Sequence, residues 1–206
     1  TQLTVPVYRV TTGDLGADFL NALRNEKGRC GQPPFFVRNP DNDGTPAADS
    51  GGMLWRKCTS EYKLAPIRRK VRELSGGQAV RQWIGISLDE AHRMKPSGVK
   101  YITNHYPLVD LRMTRGDCLA WMQRHGYPMP PKSACYFCPY TSDERWKEMR
   151  KNAPDEFDRA VAFDESLREK RHVKVNGAGI KGEIFVHRSM TPLRDAVLVD
   201  GQTDMF

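Results

Sequence analysis

Between residues 127 and 140 the chain reads Y-P-M-P-P-K-S-A-C-Y-F-C-P-Y. A proline locks φ and removes a backbone donor, so Pro128, Pro130, Pro131 and Pro139 deny this stretch both a helix and a central strand. It has to be loop, and it divides the chain. Residues 1–130 are expected to form an α/β part. Residues 131–206 are expected to hold the C-x-x-C loop, helices, a hairpin and a tail. The loop itself carries Cys135 and Cys138, two thiols on a segment with no regular structure of its own.

Elsewhere the punctuation is clear. Residues 3–10, LTVPVYRV, alternate and are β-branched, which predicts a strand with Pro6 near an edge. Residues 14–26 suit a short helix with Leu15, Phe19, Leu20 and Leu23 inward, and residues 39–53 have loop composition. Pro66 opens a helix, PIRRKVREL, that Gly76-Gly77 ends. AVRQWIGI at 79–86 predicts a buried strand, a short helix follows from Asp89 to Met94, and YPLV at 106–109 predicts another brief strand. Thr114 with Asp117 three residues later starts a helix carrying Leu119 and Met122, which Gly126 stops. Beyond the proline-rich loop a helix begins near Ser142. It is interrupted at Pro154 and continues with Phe157, Val161 and Leu167 at helical spacing. Residues 172–188, with an N-G turn, predict a β-hairpin. The order of elements is that of an α/β chain.

Composition narrows the class. Four Trp, seven Tyr and eight Phe among 206 residues supply buried area that a disordered chain lacks. No run of about 18 apolar residues is present to span a membrane, and no charged-then-apolar leader opens the chain. The length suits one domain, or one with a small appendage. Five cysteines is an odd number, and a chain this long needs no disulfide staples, so the expected compartment is the cytoplasm. The net charge of +7 is local: residues 56–101 carry eleven basic and four acidic residues. Such a patch suits a nucleotide, a sulfate or a nucleic-acid backbone, or else it is a solvated helix face.

Two thiolates at C-x2-C spacing suit tetrahedral zinc or an iron–sulfur cluster, but there is no second C-x2-C to complete a zinc ribbon. The remaining ligands must be distant: Cys58, Cys30 and Cys118, with His105 or His125, are the candidates. Cys118 lies in a predicted helix beside Leu119 and suits core packing; Cys30 suits an idle thiol in a loop. Cys58 is flanked by Arg56, Lys57 and Lys63 just before a helix start, a setting that favours thiolate over a plain surface thiol. The two S-G-G sequences, at 50–52 and 75–77, lack a following Asp-Ser and do not lie cleanly between a strand and a helix. Arg93, beyond the strand ending near Gly85, is placed either to clamp an anion or to pair with Asp89 or Glu90. His187 at a strand end is either structural or catalytic.

Taken in order, C-T-S-E-Y-K-L-A-P-I-R-R at 58–69, G-I-S-L-D-E-A-H-R at 85–93, Y-P-L-V-D at 106–110, T-R-G-D-C-L-A-W at 114–121 and K-S-A-C-Y-F-C-P at 132–139 form a recognisable set. From about residue 54 to 170 the chain resembles the phosphoadenosine phosphosulfate reductase-like branch of the PP-loop (adenine nucleotide α-hydrolase) superfamily. The resemblance implies the remainder of a parallel-sheet, HUP-like domain with a helical, cysteine-bearing C-terminal part. It implies a [4Fe–4S] cluster on Cys58, Cys135 and Cys138, with one iron left open. Lys57 stands where the dissimilatory-type reductases have a second cysteine, which favours three ligands. Lys63, Arg68, Arg69 and Arg93 would hold the anionic nucleotide or substrate. The implied activity is that of an ATP- and magnesium-dependent sulfurtransferase that adenylates and then thiolates a nucleotide or nucleic acid.

Two departures qualify this. The family's S-G-G-x-D-S nucleotide loop should lie upstream of Thr4 and is absent, so the chain is expected to be a fragment or a degenerate member. No cysteine follows Cys138 to serve as a reductase nucleophile, which disfavours a sulfonucleotide reductase. The rival expectations are a zinc-containing nucleic-acid-binding module and a subunit of a replication or modification complex. The final residues, Q-T-D-M-F, resemble a sliding-clamp docking peptide, with Met205 and Phe206 as apolar anchors and Gln202 as a polar one.

Overall fold

A computed structural model describes residues 4–25, 29–38, 51–130, 133–169, 174–175, 178–180 and 182–201. The chain forms two compact units. Unit 1 is Thr1–Ile67 with Ala134–Phe206, and unit 2 is Arg68–Ser133. The sequence division at 130/131 falls close to the second crossing between them; the first, at 67/68, has no counterpart in it.

Unit 1 begins with α1, Leu15–Arg24, started by Asp14, whose carboxylate accepts from the Ala17 N–H at 3.0 Å. Phe19 and Leu23, one turn apart, are buried, with Leu15 and Leu20 partly so, as the periodicity predicts. Cys30 to Phe36 then runs buried throughout and enters β1, Phe36–Arg38. β1 is the centre of a three-stranded antiparallel sheet between β2 (Gly51–Met53) and β7 (Glu183–Phe185), with Phe36 opposite both Met53 and Phe185. After the C-x-x-C loop come α5, Asp143–Asn152, with Ser142 as its N-cap, and α6, Pro154–Ser166, restarted by Pro154 as expected. The core gathers Phe19, Phe35, Phe137, Trp146, Phe163 and Leu193.

Three sequence expectations for this unit change. Residues 4–10 are exposed and belong to no sheet, with Val5, Val7 and Tyr8 facing solvent. Of the expected 39–53 loop, Gly51–Met53 is strand, and residues 39–50 lie outside the described residues. The 172–188 hairpin is replaced by two pairings. β5 (Lys174–Val175) pairs with β6 (Ala178–Gly179), and β7 goes to β1 instead, where Ile184 and Phe185 are buried.

In unit 2, the last part of α2 (Ala65–Ser75) ends at Gly76 and Gly77, whose φ of 60° and 82° only glycine adopts freely. β3, Val80–Trp83, pairs in parallel with β4, Ile102–His105. A 3₁₀ turn spans Leu88–Arg93, α3 Pro107–Asp110 and α4 Arg115–Arg124. The expected capping box starts α4: Asp117 N–H donates to Thr114 Oγ1 at 3.2 Å, and Thr114 N–H donates to Asp117 Oδ2 at 2.9 Å. Two expectations fail here. The strand at 79–86 is not buried, since β3 alternates half-buried and exposed and Trp83 is 71 % exposed. Residues 107–110 are helix, because Pro107 presets φ for a first helical position, and the strand is the preceding ITNH. Among the described residues of unit 2, only Ser87 and Ile102 are buried.

The whole is mixed α/β, with one parallel pair and two small antiparallel sheets. Among the described residues no helix is long and apolar enough to cross a membrane.

Candidate metal centre

Cys58 sits at the head of a π-helical turn, Thr59–Leu64, that runs into α2. That turn is fastened to the buried Cys30–Phe36 segment. Both Lys57 N–H (3.0 Å) and Cys58 N–H (3.2 Å) donate to the Gln32 carbonyl. Gly31 makes the approach possible: a Cβ there would lie 2.9 Å from Glu61 Cβ and 3.0 Å from the Tyr62 ring. Tyr62 also donates to the Asp18 carboxylate on α1.

The other two thiols sit on a double turn. Cys138 N–H donates to Cys135 O at 3.0 Å, and Thr141 N–H to Cys138 O at 3.1 Å. Phe137, between them, is buried and stacks on Phe163 of α6 at 4.2 Å and 19°. Tyr136 meets Phe137 edge-on at 4.8 Å, and the Arg159 guanidinium lies 4.6 Å over the Tyr136 ring. One inward ring thus anchors the loop and leaves both flanking thiols half-buried.

The Cys58 and Cys135–Cys138 segments come together within unit 1. The Arg56 guanidinium lies 5.2 Å over the Tyr140 ring, linking the two loops. Burial pushes the Cys135 thiol up. The charge of Cys138 adds to this, Lys63 opposes it, and Cys58 and Asp14 raise it further. One thiol therefore responds to both other cysteines and to Lys63, the exposed lysine near the end of the π turn. Cys30 lies apart in the core: burial, then Asp18 and Glu61, push its thiol up to about 12. All five cysteines are free.

Among the described residues no three His, Cys, Asp or Glu side chains are gathered round a single ion. The donor chemistry of Cys58, Cys135 and Cys138 fits an iron–sulfur cluster, which takes thiolates. It falls one ligand short of a closed structural zinc site. Cys118, His105 and His125 belong to unit 2. Cys118 is half-buried on α4, His105 Nδ1 lies 3.6 Å from Asp110 Oδ2, and His125 stacks on Trp121.

The remaining predicted residues fall as follows. Arg68 and Arg69 are on α2 in unit 2, and Arg68 Nη2 donates to the Ser97 carbonyl at 2.5 Å. Arg93 pairs with Glu90 at 2.5 Å, the second of the two roles its position allows. Gln202, Met205 and Phe206 lie outside the described residues. His187 takes the structural role. Ser189 N–H donates to Nδ1 at 3.2 Å, so the proton is on Nε2, which donates to the buried Asp143 at 3.0 Å. Asp143 Oδ2 also accepts from Val199 N–H at 2.9 Å, tying the C-terminal segment to α5.

Sequence reasoning missed Gly31, Gln32 and Asp164. Asp164 alone carried a signal: it is a carboxylate on the same helical stripe as Phe157, Val161 and Leu167. No protein family, curated protein or solved structure matches the chain. The PP-loop resemblance accordingly stands as a proposal.

Proposed function

We propose that this chain is an iron–sulfur-dependent sulfurtransferase of the PP-loop type. What supports the reading is that Cys58, Cys138 and Lys63 all act electrostatically on the Cys135 thiol, from segments that are linked by the Arg56–Tyr140 contact and fastened to one core. A [4Fe–4S] cluster, when bound, would supply the sulfur to be transferred. Cys58, Cys135 and Cys138 would bind it, Phe137 would hold the loop rigid, and the charge of Lys63 would offset the thiolates. The reaction so proposed is attack of a target oxygen on ATP with release of pyrophosphate. Displacement of AMP by sulfur follows, breaking the C–O bond and forming C–S.

Anaerobic purification tests this. A brown protein with several irons and acid-labile sulfides per chain is expected, with Cys58→Ala losing both. A colourless protein with one zinc and no sulfide rejects the proposal in favour of a structural-zinc, nucleic-acid-binding module. Metal content unchanged in Cys58→Ala removes Cys58 from the ligand set.

A further inference from the structure

The structure divides the charge in a way the sequence alone does not. Unit 2 holds twelve basic and five acidic residues, so the entire net charge of +7 belongs to it, and unit 1 balances to zero. Unit 2 also displays its aromatic rings. Trp121, 42 % exposed on α4, stacks on His125 at 4.0 Å and 19°, and on Tyr127 at 5.7 Å and 25°. His125 Nδ1 is 2.8 Å from the Trp121 carbonyl, which fixes the ring across the helix end. The result is a ladder of three near-parallel rings at the C-terminus of α4. Arg124 stands within this ladder in sequence, Arg115 lies at the start of the same helix, and Arg112 lies just before it. All three arginines are exposed, and their side chains form no ion pair within 4 Å among the described residues. The opposing charges they act on are Asp89, which faces Arg115 and accepts from its backbone N–H at 2.9 Å, and Asp117, which faces Arg124. The Asp117 carboxyl is held below the usual range first by Thr114, with Arg124 contributing less.

A ring stack with Trp121 and His125 exposed and Tyr127 half-buried, on a helix that also carries exposed arginines, suits the two features of an unpaired nucleotide: a π-face to stack on and a phosphate to neutralise. A duplex hides the base faces in its stack and offers phosphates and groove edges instead. We propose that unit 2 docks single-stranded nucleic acid, stacking a base on the Trp121–His125–Tyr127 ladder and neutralising phosphates with Arg112, Arg115 and Arg124. The proposal rests on residues 68–133 alone and is independent of which metal the cysteines hold.

The test is fluorescence anisotropy of the full chain with a labelled oligothymidylate, its duplex, and inorganic polyphosphate as competitor, over a range of salt. The single strand is expected to bind more tightly than the duplex and to resist polyphosphate of equal charge. Trp121→Ala loses about tenfold in affinity, one base–aromatic stack, while Trp121→Phe keeps most of it. Arg124→Gln flattens the slope of log affinity against log salt by about 0.7. The proposal is overturned if polyphosphate competes equally per charge, if the duplex binds as well, or if folded Trp121→Ala binds like the parent. Should Trp121→Ala not fold, Tyr127→Leu is judged by the same criterion.

Discussion

Asp164 is the buried charge on which the C-terminal third of unit 1 depends, and its replacement is the most direct trial of the packing described. The side chain is fully buried on α6. Oδ1 accepts from Val186 N–H at 2.8 Å; Oδ2 accepts from Leu193 N–H at 2.9 Å and from Arg168 Nη2 at 2.8 Å. Arg168 is itself held, donating to the Ile184 carbonyl at 3.3 Å and lying 4.9 Å over the Phe185 ring. Asp164→Ala therefore orphans two backbone donors and strips the Arg168 guanidinium of its carboxylate. Each orphaned buried donor costs about 1–3 kcal/mol, and stripping one partner from a buried ion pair costs about 3–5 kcal/mol. These overlap, so a total of about 4 kcal/mol is expected, a large part of the ~5–15 kcal/mol that holds a domain together. Asp164→Asn keeps one acceptor oxygen and should cost about 2 kcal/mol. Urea unfolding followed by Trp146 emission reads unit 1, because Trp146 is fully buried while Trp55, Trp83 and Trp121 are exposed. The midpoint should fall in the order parent, Asp164→Asn, Asp164→Ala at constant slope. A loss under about 1 kcal/mol in Asp164→Ala, or equal losses in both variants, would refute the tie.

Three further outcomes follow from the same geometry. Burial holds His187 below its ordinary value of 6.5 despite the raising influence of Asp143, so below that pH the unfolded chain binds more protons than the folded one. Stability is then full above about 6.5 and falls as the pH drops towards the folded-state value; in His187→Gln, the urea midpoint should lose that part of its pH dependence. Cys30, buried and pushed up to about 12, should stay unmodified when native protein is treated with iodoacetamide at neutral pH and react once urea is added; peptide mass spectrometry reads this directly. Gly31→Ala drives a methyl to 2.9 Å from Glu61 Cβ, and should cost about 1–3 kcal/mol and lower metal content per chain by displacing the turn that carries Cys58.

What the sequence showed and what it hid divide along a physical line. The caps Asp14, Thr114 and Ser142, the stops at Gly76-Gly77 and the restart at Pro154 act on their own neighbours, so the helices they bound were readable. The sheet was not, because β1 chooses β7 across almost the whole chain, and Phe36 opposite Phe185 has no local mark. The unit boundary at 67/68 was hidden for another reason: it runs through the continuous helix α2, where no linker composition exists to betray it. The place of Cys58 was only half legible. Its charged setting and the family resemblance selected it, but its anchorage is the carbonyl of Gln32, a backbone atom that carries no residue preference. Asp164 is the instructive case. On a stripe of Phe157, Val161 and Leu167, the Asp164 carboxylate has one ion-pair partner close in sequence, Arg168, just past the helix end. A buried charge needs several donors, and backbone N–H groups from a segment leaving that region are a ready supply. A lone acid on an apolar helical stripe therefore predicts a later chain segment passing over the helix, which is what Val186 and Leu193 do.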